Sequence, residues 1–115
     1  MGRRHRHRDR LAAPDIEYHD ENAGTLVLRA RLGPSSRRRY EEVLGGGLDR
    51  EDAWQRALEF LFERLAVSWT IAGVETARQR ELLGRLRIAS GEERQFVRRS
   101  IRAHAAEHFP ELKVP

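Results

Sequence analysis

The feature that most constrains this chain is a stripe of large apolar residues near its middle. Trp54, Leu58, Leu61, Leu65 and Trp69 recur at spacings of three and four, the period that lines one face of an α-helix. Ala57, Phe62 and Ala66 widen the stripe into a surface that some other layer must cover. Asp49 stands at the N-cap position, and Glu51 and Asp52 in the first turn complement the helix dipole. The spacing predicts a helix over residues 49–69, with Gly73 in the turn beyond it.

Both flanks of the stripe offer material for that second layer. Asp15-Ile16-Glu17-Tyr18-His19 alternates polar and apolar, as a half-buried strand does. Turn residues follow, and then Thr25–Leu32, with Leu26, Leu28, Ala30 and Leu32 on one face. Together they predict a β-hairpin over residues 15–32. A lone hairpin is barely stable in water, so it must pack on helices or on another copy of the chain. Gly33-Pro34 breaks the strand, and Ser35 or Ser36 can cap a short helix over 35–44 carrying Tyr40, Val43 and Leu44. Gly45-Gly46-Gly47 reads as a flexible joint; no Gly-Lys-Ser/Thr follows it, so it is not a phosphate loop.

Downstream, Thr76-Ala77-Arg78-Gln79 fits a capping box opening a helix over 76–87, with Leu82, Leu83 and Leu86 facing the core. Ser90-Gly91-Glu92-Glu93 fits another, opening a helix over 90–109 whose inward residues are Phe96, Val97, Ile101, Ala105 and Phe109. Pro110 stops it. The expected fold class is therefore α+β, mostly α: an N-terminal β-hairpin, a short helix and a three-helix bundle-like core in one domain over residues 14–115. A chain of 115 residues suits one domain.

Charge separates that domain from its N-terminal arm. The chain holds 22 basic and 18 acidic side chains, a net charge of +4. Five of the basic ones (Arg3, Arg4, Arg6, Arg8, Arg10) and one acidic one (Asp9) fall in the first ten residues. The rest of the chain is electrically balanced. Residues 1–13 read as a disordered basic arm, with His5 and His7 as part of a solvated tail. Its arginines can neutralise phosphates, so nucleic-acid association through the arm is the alternative functional reading. No aromatic residue interleaves with them for base stacking. The basic start never reaches an apolar signal-peptide core, and no apolar run approaches the roughly 20 residues of a membrane span, so the cytoplasm is the expected location.

Catalytic chemistry finds little to stand on. There is no cysteine, which excludes disulfide scaffolds, thiolate zinc sites and thiol nucleophiles. Adjacent carboxylates such as Glu41-Glu42 and Glu92-Glu93 do not share a helix face, which argues against paired acid–base work. His104-Ala105-Ala106-Glu107-His108 matches the H-x-x-E-H pattern of inverted zinc metallopeptidases, with Glu107 placed as a general base. Only Glu111 follows as a carboxylate, beyond the helix stop, and no later helix supplies a third ligand. The pattern therefore reads as a polar helix end, its histidines near the negative pole of the dipole. No metal, cofactor or catalytic residue is expected.

The stretch Leu58–Thr76, with Ser68-Trp69 closing a helix, Gly73 in a short turn, Thr76 before the next helix and the Leu82-Leu83 pair within it, resembles the tail assembly chaperones of long-tailed, siphovirus-type bacteriophages. Strand Leu26–Leu32 leading into a short helix extends the resemblance to roughly residues 25–105. Ile71–Glu75 replaces the family's acidic or proline-containing turn, and the arginine arm has no counterpart there. The resemblance implies a non-enzymatic protein of the host cytoplasm, oligomeric, that binds the tape-measure protein and tail-tube subunits during tail assembly. On that reading Trp54, Leu58, Leu61, Phe62, Leu65 and Trp69 are the candidate partner-binding residues. As plain helix physics, the same stripe serves equally well as the domain's own core.

Overall fold

A computed structural model describes residues 14–46 and 49–114. The arm and its five arginines lie outside the described residues, as does Gly47 of the glycine joint. The expected hairpin forms from β1 (Ile16–Asp20) and β2 (Gly24–Leu28), paired antiparallel with Tyr18 opposite Leu26. The Asp20 carboxylate shapes its turn by accepting hydrogen bonds from the backbone N–H groups of Asn22 (3.0 Å) and Ala23 (2.8 Å). These bonds, Ala23's first, hold the Asp20 carboxyl below its ordinary pKa. β2 ends at Leu28 and not at Leu32: the Arg29 N–H turns away to the Leu65 carbonyl at 2.8 Å. Ala30 and Leu32 are nonetheless buried.

Helix α1 (Pro34–Gly45) is capped by Gly33, with Pro34 in its first turn, so neither Ser35 nor Ser36 takes the cap position. Proline suits that place because its missing N–H is an orphan there anyway. The Tyr40 hydroxyl donates to the Lys113 carbonyl and Arg37 pairs with Glu111, which ties residues 109–114 back onto α1.

The long helix is shorter than its apolar period suggests. Helix α2 runs Arg50–Leu65, and Ala66–Ile71 is strand β3, not more helix. Trp69 sits four residues beyond Leu65, a helical spacing, but Val67, Thr70 and Ile71 are β-branched, and alternation also puts Trp69 inward. β2 decides between the two by offering an open edge, with Leu26 opposite Trp69 and Val27 opposite Ser68. Ala72 and Gly73, both at positive φ, then turn the chain into the short strand β4 (Val74–Thr76). Positive φ at both central residues is the pattern of the hairpin turns whose twist matches their strands. The sheet is thus four-stranded in the order β1-β2-β3-β4, every neighbour antiparallel.

Thr76 is the last residue of that sheet and does not cap a helix. Helix α3 (Gln79–Arg87) starts after Arg78, with no side-chain cap. Helix α4 (Gly91–His108) opens on the expected capping box: Ser90 accepts from the Glu93 N–H, and Glu93 accepts from the Ser90 N–H. The chain is accordingly α+β and mostly helical, a hairpin followed by helices, with β3 and β4 inserted between α2 and α3.

The core lies between the sheet's inner face and the helices. Leu26, Leu28 and Trp69 meet Leu61, Phe62 and Leu65 of α2, Leu82 and Leu86 of α3, and Val97 and Ile101 of α4. Each such side chain stabilises the fold by about 1.5–3 kcal/mol when fully buried. Trp69 is the pivot: its ring packs edge-on to Phe62 (centroids 6.0 Å), and its N–H donates to the Ala23 carbonyl at 2.8 Å. Arg85 covers its ring from 5.3 Å while pairing with Glu93 at 2.9 Å. Glu93, bonded first to the Ser90 N–H and then to Arg85, is held below the usual carboxylate pKa. One network thus joins the first hairpin, β3, α3 and the cap of α4.

Candidate interaction surface

The stripe read as a possible partner surface is interior. Leu58, Leu61, Phe62, Leu65 and Trp69 are all buried in the chain's own core, and only Trp54 stays partly accessible, under the Arg50 guanidinium at 5.8 Å. A partner that used those five side chains would have to unfold the domain.

The H-x-x-E-H segment is equally committed. His104 is fully buried on α4. Its Nε2–H donates to the Arg29 carbonyl at 2.7 Å, which leaves Nδ1 to accept from the Tyr18 hydroxyl at 2.8 Å. Both ring nitrogens are used, so a metal would have to break a bond between α4 and the β1–β2 region. The His108 ring lies tilted beside it, centroids 4.5 Å apart, and Glu107 is exposed. No group of three metal-ligating side chains occurs among the described residues. Burial, ahead of every other cause, lowers the His104 pKa; the Arg29 carbonyl opposes that shift, as expected for a structural tie held neutral.

One hollow of 410 Å3 borders His108 and Phe109 beside Ala30–Pro34; another concavity lies where the end of α2 meets α3. A groove of 380 Å3 is walled by Glu63 and Arg64 on one side and by Gln79, Arg80, Leu83, Gly84 and Arg87 on the other. A second hollow of 250 Å3 shares Glu63, Arg64 and Gln79 and adds Arg29, Ala66 and Ala77. Local chemistry explains why the two meet there. The last carbonyls of α2 need partners: Gln79 donates to Glu63 O at 3.3 Å, and Arg29 donates to Arg64 O and Ala66 O at 3.2 and 3.3 Å.

The 380 Å3 groove is lined by three guanidiniums and one carboxylate, with the Glu59 carboxylate beside them. Arg87 reaches Glu59 at 3.3 Å, and Arg64 reaches Glu63 at 3.4 Å while leaning on the Phe60 ring. Exposed pairs of this kind hold their partners weakly. Arg80 has no ion-pair or hydrogen-bond partner among the described residues. Ile88, one turn beyond Gly84, is 77% exposed.

Gly84 is the anomaly of this face. A glycine inside a helix is less stable than alanine by about 1 kcal/mol. A Cβ added at Gly84 would meet nothing within 4 Å, so packing within the chain does not require it. None of Arg80, Leu83, Gly84 or Arg87 stood out as a binding residue in the sequence, where Leu83 counted as core. The available signal was a glycine in mid-helix with arginines four before and three after it.

No family model, curated protein or solved structure matches this chain.

Proposed function

We propose that this chain is a non-enzymatic assembly chaperone of the phage-tail type. It binds the tape-measure protein and tail-tube subunits in the host cytoplasm, in several copies along the long partner. The observation that carries the reading is the basic, glycine-containing groove between α2 and α3, an open surface on a domain most of whose large apolar residues are spent on its own core. Such a surface suits reversible binding: rim arginines steer and orient a partner, and the small apolar floor limits affinity per copy. The sequence resemblance over residues 25–105 supports the identity of the partner.

The test is co-expression with the tape-measure chain of the same genome. Recovery of that chain in the soluble fraction, with the full protein and equally after deletion of residues 2–10, is the expected result. A tape-measure chain that stays insoluble, or recovery that depends on the arm, would refute the reading.

A further inference from the structure

We infer that the outer face of α3 docks an acidic amphipathic helix of a protein partner, with Gly84 as the point of closest backbone approach. The inference rests on the reading that this chain binds protein. Arg80, Leu83, Gly84 and Arg87 follow the helical spacing of three and four and so share one face. That face looks into the groove whose opposite wall is the end of α2. Arg80 and Arg87 are seven residues apart, a rise of about 10.5 Å along the helix. A second helix laid alongside, with carboxylates at the same separation, meets both guanidiniums at once.

Between the two arginines the wall is low. Leu83 supplies the apolar floor, and the open space above Gly84 admits a backbone or a bulky side chain. Ile88, exposed at the C-cap of α3, lies four residues beyond Gly84. Charge chooses the occupant's sign, because Arg80 has no ion-pair partner among the described residues and the guanidiniums of Arg64 and Arg87 are exposed and exchangeable. It does not by itself choose protein over nucleic acid. The apolar floor and the glycine do: no aromatic ring is among the described residues lining the groove, so a base finds nothing to stack on.

The test uses the full chain and a fluorescent synthetic helical peptide bearing glutamates seven residues apart with alanine and leucine between them. A matched lysine-for-glutamate peptide and a single-stranded oligonucleotide serve as comparisons. The glutamate peptide should bind in anisotropy titrations, with affinity falling as salt rises, and the lysine peptide should not. Gly84→Ala should raise Tm by about 4 °C yet weaken the peptide at least about tenfold, a combination that a purely structural glycine does not give. Arg80→Glu with Arg87→Glu should abolish binding while the fold is retained.

Failure of the glutamate peptide to bind at millimolar concentration, equal binding of the lysine peptide, or undiminished binding by Gly84→Ala would each overturn the proposal. So would displacement of the peptide by the oligonucleotide at lower concentration, which would mark the face as a phosphate site. A chain that solubilises its tape-measure partner but ignores the peptide refutes this surface alone. Peptide binding without solubilisation refutes the functional reading alone.

Discussion

His104 should make the stability of this domain fall in mildly acidic solution. The ring is buried and neutral, bonded through Nε2–H to the Arg29 carbonyl and through Nδ1 to the Tyr18 hydroxyl. Protonation adds a charge in a site where burial already lowers the pKa from 6.5, beside His108 at 4.5 Å, and the charge of exposed Glu107 opposes that shift. The folded pKa is below the unfolded one, so the unfolded chain takes up the proton first as pH falls. The contribution is therefore complete above about pH 6.5 and declines below it until the folded ring titrates as well. One proton limits the slope to about 1.4 kcal/mol per pH unit. The carboxylates held low, Asp20 and Glu93, contribute above their ordinary values of 3.8 and 4.5 and are lost as pH falls through their depressed ones, a separate and more acidic window.

Urea unfolding of the wild type and of His104→Gln between pH 8 and pH 5.5 is the assay. Glutamine keeps a donor for the Arg29 carbonyl and removes the titration, so its midpoint should stay flat where the wild-type midpoint drops. His104→Leu should cost about 2–4 kcal/mol at pH 8 by stranding the groups at both ends of the bridge. Parallel pH profiles for wild type and His104→Gln would refute the reasoning, as would wild-type stability that rises on acidification.

Other consequences are more local. Gly24→Ala should unfold the domain or cost more than about 3 kcal/mol in thermal melts, because φ is +87 and the new Cβ would sit 2.0 Å from the Thr70 carbonyl oxygen. Ala72→Asn should stabilise by about 0.5–1 kcal/mol in the same melts, since Ala72 holds φ 50, which asparagine tolerates better in a hairpin turn before glycine. Ser90→Ala should cost about 1 kcal/mol and loosen hydrogen-exchange protection in the first turn of α4, where the capping box is lost.

Elements with local causes were readable in the sequence. The Ser90–Glu93 box fixes the start of α4 within four residues, and the period through Phe96, Val97, Ile101 and Ala105 marks the side that is buried. The first hairpin was equally visible from its alternation. β3 was not, because its partner strand lies some forty residues upstream and Leu65 to Trp69 happens to satisfy the helical period. That coincidence also made core residues look like a partner surface. Thr76 misled in a similar way: a residue fit to cap a helix is also β-branched, and pairing with Trp69 put it in the sheet. The groove depends on where the end of α2 lies against α3, a tertiary fact; only Gly84 left a trace in one dimension.

On the proposed reading this domain works through the α2–α3 groove on a protein partner, independently of its basic arm. Co-elution with the tape-measure chain on a sizing column tests it most directly, comparing the wild type, the deletion of residues 2–10 and the Arg80→Glu, Arg87→Glu double variant. A complex with the first two and none with the third is the expected result. A complex that survives the double charge reversal, or that disappears with the arm, would contradict it.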